Sequence, residues 1–322
     1  MEGSKESVIV VAELPGLKLF SDGSFSRYEL PDMSVTPSPE ASLGEDKGVA
    51  SKDMTLDNDL GLWVRIYLPP LGNEQHGTPI PVCLYFHGGA FCVGSASWKP
   101  FHALCIRVAA AAEAIVVSVN YRLAPEHRLP AAYDDCTAAL SWLRSGGGGD
   151  PWIQRHADLS KLFLMGDSAG GNIVHHLVLG DAELNLRRAQ MGGVVMVQPA
   201  FAGEARTPSE AESPEAMEES DLRRGLALPL GTNRDHPYLN PMASQSSELV
   251  NATLPPLLIV VGGRDIMRDR QREYYQGLRS YGKEVKTVEF EEEDHGFYAW
   301  KPDVESTELL IQEIARFVKN SS

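Results

Sequence analysis

Leu162-Phe-Leu-Met-Gly-Asp-Ser-Ala-Gly-Gly-Asn-Ile-Val-His-His-Leu-Val-Leu179 is the stretch that decides the fold. The apolar run 162–165 has the character of a buried strand, and residues 172–179 have the composition of a helix. Between them Gly166-Asp-Ser-Ala-Gly170 must turn the chain sharply, which puts Ser168 on a strand-to-helix corner. The flanking glycines keep that corner clear of Cβ atoms and tolerate its strained backbone. A serine so placed exposes its Oγ, and the helix that starts behind it favours negative charge on that oxygen. The plainer alternative is a helix-capping serine between glycines, and the apolar run directly before it argues against that.

Outward from this corner the alternation repeats. Continuous apolar runs at 82–86, 114–119, 194–197 and 257–261 suit strands covered on both faces, as parallel strands are. Residues 62–68 and 285–290 alternate with period two instead, as half-buried strands do. Helical stretches at 98–112, 131–143, 169–179 and 268–281 lie between them, and Leu310, Ile314, Phe317 and Val318 mark one face of a C-terminal helix. This order predicts an α/β chain with a mostly parallel, doubly wound sheet. Residues 1–55 predict an irregular arm, with a turn at Ser21-Asp-Gly-Ser24 and a Pro/Ser/Glu-rich stretch over 36–43, and residues 56–322 the main domain. Within that domain the acidic, alanine-rich segment 203–228 interrupts the pattern and predicts helices that form a lid.

Bulk properties narrow the function. A net charge of −15 supplies no basic face for a nucleic-acid backbone or an anionic membrane. No run approaches the ~18 apolar residues of a membrane helix, so membrane insertion is not expected. Cys83, Cys92, Cys105 and Cys136 form no CxxC pair and no zinc-type spacing, which predicts free thiols, a reducing compartment and no metal. The cytoplasm is the expected location, with the nucleus also open. The sequence leaves monomer and dimer equally open.

Two further signals complete a candidate site. His87-Gly88-Gly89-Ala90 follows the apolar run 82–86, and backbone N–H groups in such a loop can approach an oxyanion closely. The expected donors are Gly88, Gly89 and Ala169, each worth ~3–4 kcal/mol of transition-state stabilisation. Gly262-Gly-Arg-Asp265 and Asp294-His-Gly-Phe297 each follow a strand, so Asp265 and His295 join Ser168 at carboxyl ends of the sheet. The order Ser, Asp, His differs from both serine-protease orders. Asp269 competes for the acid position but lies a helical turn further on, and His102, His156, His175, His176 and His236 lack the strand-end placement. Ala90, Trp98, Phe201, Phe297 and Tyr298 are the expected pocket walls, and core packing is the alternative for each aromatic.

The set HGGAF (87–91), NYRLAPEHRLPAAYDD (120–135), GDSAGGNI (166–173), GGRDIMRDR (262–270) and DHGFY (294–298) closely resembles the plant carboxylesterases of the hormone-sensitive-lipase-like group of α/β-hydrolases. GLKLFSDGSFSR (16–27) resembles the N-terminal segment of the same group. The resemblance implies hydrolysis of small-molecule esters by Ser168, His295 and Asp265, an oxyanion hole at Gly88, Gly89 and Ala169, and no cofactor. Ala90 departs from the group's usual third glycine, which is expected to trim the pocket without abolishing activity. The group also holds gibberellin receptors, which lack the histidine present here as His295, and dehydratases and cyclases that use the same pocket for eliminations. Residues 259–278 and 288–298 are most similar to the strigolactone-cleaving branch, although that branch often has glutamate where this chain has Asp265.

Overall fold

A computed structural model of the chain describes residues 8–40, 47–71, 78–180, 191–244 and 246–320. Val10–Leu14 (β1), Leu17–Phe20 (β2) and Phe25–Arg27 (β3) form a small antiparallel sheet, turned at Pro15-Gly16 and at the expected 21–24 turn. The N-terminal segment is therefore more ordered than the irregular arm its composition suggests. Parts of that arm, residues 1–7 and 41–46, which include the end of the Pro/Ser/Glu-rich stretch, lie outside the described residues.

The main sheet has eight strands: Ala50–Asp57 (β4), Leu62–Leu68 (β5), Ile80–Phe86 (β6), Ile115–Asn120 (β7), Ala157–Asp167 (β8), Gly193–Val197 (β9), Leu257–Gly262 (β10) and Val285–Phe290 (β11). Their order is β11-β10-β9-β8-β6-β7-β5-β4, parallel from β11 through β7 and antiparallel at β5 and β4. β4 belongs to this sheet, so the expected boundary at residue 55 cuts through an edge strand.

Lys99–Ala112 (α1), Ala131–Arg144 (α2), Pro151–His156 (α3), Ala169–Leu179 (α4), Pro208–Ala211 (α5), Pro214–Ala227 (α6), Pro241–Ser244 (α7), Ser246–Asn251 (α8), Arg268–Ser280 (α9), Phe297–Trp300 (α10) and Glu305–Asn320 (α11) surround it. Alternate residues of one strand feed opposite layers, as the pleat requires. Leu162 and Leu164 of β8 belong to the same buried cluster as Ile173 of α4 and Leu278 of α9. Phe163 and Met165 belong to the opposite cluster, with Val108 of α1 and Ile314 of α11. Both faces are covered there, which is why residues 162–165 of β8 are apolar at every position. Each buried aliphatic side chain contributes roughly 1.5–3 kcal/mol, so the layers hold the strand ends rigidly.

β8 lies at the centre of the sheet, where connections leave in opposite directions. The loops after β6, β8, β9, β10 and β11 consequently meet at one carboxyl edge, the place where open α/β sheets bind ligands.

Candidate active site

Ser168 stands between β8 and α4 with φ +51 and ψ −116, a backbone conformation disfavoured for a residue with a Cβ. The chain holds it by three backbone bonds: its N–H donates to Val197 O at 2.9 Å, and its own carbonyl accepts from Ala200 N–H at 2.9 Å and Asn172 N–H at 3.1 Å. Gly170 has to be glycine, because a Cβ there would lie 1.8 Å from Phe86 O of the neighbouring strand.

His295, on the loop after β11, reaches Ser168 Oγ through Nε2 at 2.9 Å and Asp265 Oδ2 through Nδ1 at 2.7 Å. Asp265 is fully buried after β10 and is held by more than the histidine. Its Oδ1 accepts Met267 N–H at 2.8 Å, and its Oδ2 accepts Gln271 Nε2 at 2.8 Å and Gln198 Nε2 at 3.3 Å. Burial works against the Asp265 carboxylate, but the charge and hydrogen bond of His295 outweigh it and hold the acid below its ordinary range. Burial likewise opposes the imidazolium, and the Asp265 charge overcomes it, so His295 titrates above its ordinary value. Asp269, the rival acid, instead accepts the N–H of Ser209 at 2.8 Å.

Gln198 was not foreseen. It follows β9 with φ +47, and besides reaching Asp265 its amide clamps the loop that carries His295: Nε2 donates to Asp294 O at 3.0 Å, and Oε1 accepts Gly296 N–H at 2.8 Å. Only its position after a buried strand beside the others could have signalled this.

Asp167 is the second residue that sequence reasoning passed over. Its carboxylate is buried beneath the serine corner and accepts Tyr85 OH at 2.5 Å, Tyr298 OH at 2.6 Å and Gly88 N–H at 3.0 Å. Burial raises its pKa, and the two phenols limit the rise. This network bears on the expected donor at Gly88. Gly88 N–H is already spent on Asp167, whereas among the described residues none accepts from the N–H of Gly89, Ala90 or Ala169. Gly89 has φ +110, and a Cβ on it would fall 2.0 Å from Val93 O. Ala90 keeps a left-handed φ of +54 despite its methyl group, a strain of ~1 kcal/mol or more. Behind the loop, Tyr121 stacks on His87 at 4.3 Å and its hydroxyl donates to His87 O at 2.7 Å.

A cavity of about 310 Å³ opens over Ser168 and His295. Ala90, Trp98 and Tyr298 line it as expected. Phe201 and Phe297 do not: Phe201 packs against His175 and Tyr274, and Phe297 against Phe290, both in the core. Each follows a strand end, where a buried aromatic can turn toward the core as readily as toward the cavity.

The segment 203–228 folds as α5 and α6, and α6 lines the cavity through Ala216, Glu219, Ser220, Arg223, Arg224 and Ala227. Its foot is fastened to α9 and the loop before it: buried Glu210 pairs with Arg270 at 3.3 Å, and Ser209 Oγ donates to Ile266 O at 2.8 Å. From the opposite side Pro15 reaches the cavity, and Arg27 of β3 donates to Cys92 O and Ala124 O, each at 2.6 Å. The N-terminal sheet is thereby pinned to the glycine loop.

The described helices include none long and apolar enough to cross a membrane. The four cysteines are free and buried.

Comparison with known proteins agrees with this architecture. Residues 83–299 match the family model described as the alpha/beta hydrolase fold. The chain is 35% identical to Probable carboxylesterase 2 of Arabidopsis thaliana over 99% of this chain and 98% of that protein. It is also 35% identical to Gibberellin receptor GID1C of Arabidopsis thaliana, over 92% of this chain and 88% of that one. Among solved structures, the hyperthermophilic esterase of the archaeon Pyrobaculum calidifontis superposes with a TM-score of 0.72 at 27% identity, covering 84% of this chain and 85% of that chain. The chain therefore belongs to the α/β-hydrolase family, in the group that holds the plant carboxylesterases and the gibberellin receptors.

Proposed function

We propose that the protein is a carboxylesterase that hydrolyses esters of small molecules through an acyl-enzyme on Ser168. The observation that carries this reading is the unbroken relay Asp265–His295–Ser168, with contacts of 2.7 and 2.9 Å. In the first step His295 Nε2 takes the Ser168 proton as Oγ bonds to the ester carbonyl carbon. The tetrahedral oxyanion lies against the N–H groups of Gly89, Ala90 and Ala169, at the positive end of α4. His295 then returns the proton to the departing alcohol. Water, deprotonated by the same nitrogen, attacks the acyl carbon, and the acid leaves as Ser168 regains its proton. Asp265 fixes the imidazole tautomer and stabilises the imidazolium in both halves.

Segment 203–228 and the N-terminal sheet act as covers, which restricts the substrate to what a cavity of about 310 Å³ admits and excludes water from the reacting carbonyl. Strigolactone-like lactones remain within the size class. A receptor role would leave the relay of His295 and Ser168 without use, and an elimination would require no acyl-enzyme.

The test is turnover of 4-nitrophenyl acetate and butyrate by the wild type and by Ser168→Ala. The wild type releases 4-nitrophenol and carboxylic acid in equal amounts; the variant, folded by circular dichroism, loses at least about a thousandfold in kcat. Equal turnover by both proteins would overturn the nucleophile.

A further inference from the structure

The cavity has an uneven wall. Phe91, Val93, Trp98, Ile266 and Met267 give it apolar sides, while Glu219, Ser220, Arg223 and Arg224 bring polar groups from a single helix, α6. The two arginines differ in what they are bound to. Arg224 is buried, with Nη1 3.3 Å from Asp221 and Nη2 3.5 Å from Met267 Sδ. Arg223 donates through Nη2 to Glu219, one helical turn earlier, but its Nε is buried and finds no acceptor among the described residues.

Nε and Nη2 form one edge of the guanidinium, two parallel donors spaced to match the two oxygens of a carboxylate. That edge is half used, and Glu219, the residue that uses it, has a side chain 56% exposed. An unpaired buried donor is the place where an incoming acceptor gains most. Arg223 is also close enough to the reacting centre for its charge to oppose protonation of His295. The setting sharpens the point: in a chain of net charge −15, consecutive arginines over the cavity offset a field that would otherwise repel anions.

We infer that Arg223 is a specificity-determining residue that selects esters bearing a carboxylate on the acyl or the alcohol arm. The carboxylate takes Nε and Nη2 together, and Glu219 turns out to solvent. Glu219 thus competes with the substrate for the same edge. A neutral lactone of the strigolactone kind would leave Nε unpaired. This inference rests on the hydrolase reading and adds the substrate class to it.

The experiment compares kcat/KM within two matched pairs. Mono(4-nitrophenyl) adipate against 4-nitrophenyl hexanoate places the charge on the acyl arm. 4-Acetoxybenzoate against 4-acetoxybenzamide places it on the alcohol arm. Wild type, Arg223→Gln and Glu219→Gln are measured, and the charged-to-neutral ratio is the readout, because misfolded protein lowers both members alike. In at least one pair Arg223→Gln lowers the ratio about tenfold, through KM of the charged ester, and Glu219→Gln raises it at least about threefold. The pair that responds assigns the arm. Ratios within twofold of one another for all three proteins in both pairs overturn the inference while leaving the hydrolase reading intact. Absence of turnover by the wild type on all four esters overturns the hydrolase reading itself, and the inference with it.

Discussion

Asp167 takes no part in the hydrogen-bond relay Asp265–His295–Ser168, yet its bonds tie down the glycine loop. Asp167→Ala removes the acceptor of Tyr85, Tyr298 and Gly88 at 2.5, 2.6 and 3.0 Å. Two phenols and one N–H are then left in the core without partners, each costing about 1–3 kcal/mol. Removal of a buried carboxylate, whose burial is itself unfavourable, offsets part of this. The expected net loss is about 3 kcal/mol, which lowers Tm by roughly 4 °C in a chain of this length. The larger effect falls on rate. Once Gly88 is untied, the N–H groups of Gly89 and Ala90 lose their fixed direction, and misplacing one oxyanion donor costs about 10²–10³ in kcat. Asp167→Asn keeps an oxygen for Gly88 and Tyr85 and turns its amide toward Tyr298, so it recovers to within about tenfold of wild type. Steady-state kinetics on 4-nitrophenyl butyrate, with Tm measured in parallel, reads both effects. An alanine variant with wild-type kcat would refute the claim that Asp167 sets the loop, whatever its stability.

The acid limb of kcat/KM reports His295, which must be neutral to take the serine proton; because Asp265 raises it, the limb has its midpoint above pH 6.5 and activity falls as pH drops through it. Asp265→Asn removes that charge, so the midpoint moves down and the residual rate drops by about 10⁴; an unmoved midpoint would contradict the pairing. Glu210→Ala leaves the Arg270 guanidinium buried beneath the inserted segment without its carboxylate. Arg270 keeps Ala205 O and a looser contact with Glu273, so the cost is about 2–3 kcal/mol, and looser cover raises KM more than it lowers kcat. Calorimetry and steady-state kinetics check the two parts, and an unchanged Tm would show that the ion pair does not fasten the segment.

What the sequence displays and what it conceals follow from the range of the interactions. Ser168 is legible because strand, corner and helix are consecutive, and the apolar run before Gly166 and the helix after it constrain the backbone locally. Asp265 and His295 are legible for the same reason, each following a recognisable strand. The proposed oxyanion donors are not. The choice of free N–H groups in the 87–90 loop depends on Asp167, 79 residues further along the chain, taking the one from Gly88. Gln198 escapes notice because nothing adjacent in sequence marks an amide that will meet Asp265 from the neighbouring strand end, and Gln271 because nothing marks which side chain of α9 turns back toward it. β4 escapes because it is an edge strand whose outer residues face solvent, so Ala50–Asp57 carries polar residues and no apolar run. Phe201 and Phe297 show that apolar character predicts burial and leaves open which side of a strand end a ring takes.

The central claim is that Ser168 Oγ becomes covalently acylated. Rapid acid quench of the enzyme during turnover of 4-nitrophenyl acetate, followed by proteolysis and peptide mass mapping, tests it most directly. The account predicts an acetyl group on the peptide that contains Ser168, forming within the burst of 4-nitrophenol and absent from Ser168→Ala. Sustained hydrolysis with no adduct on that peptide, or with the acetyl group on another residue, would contradict it.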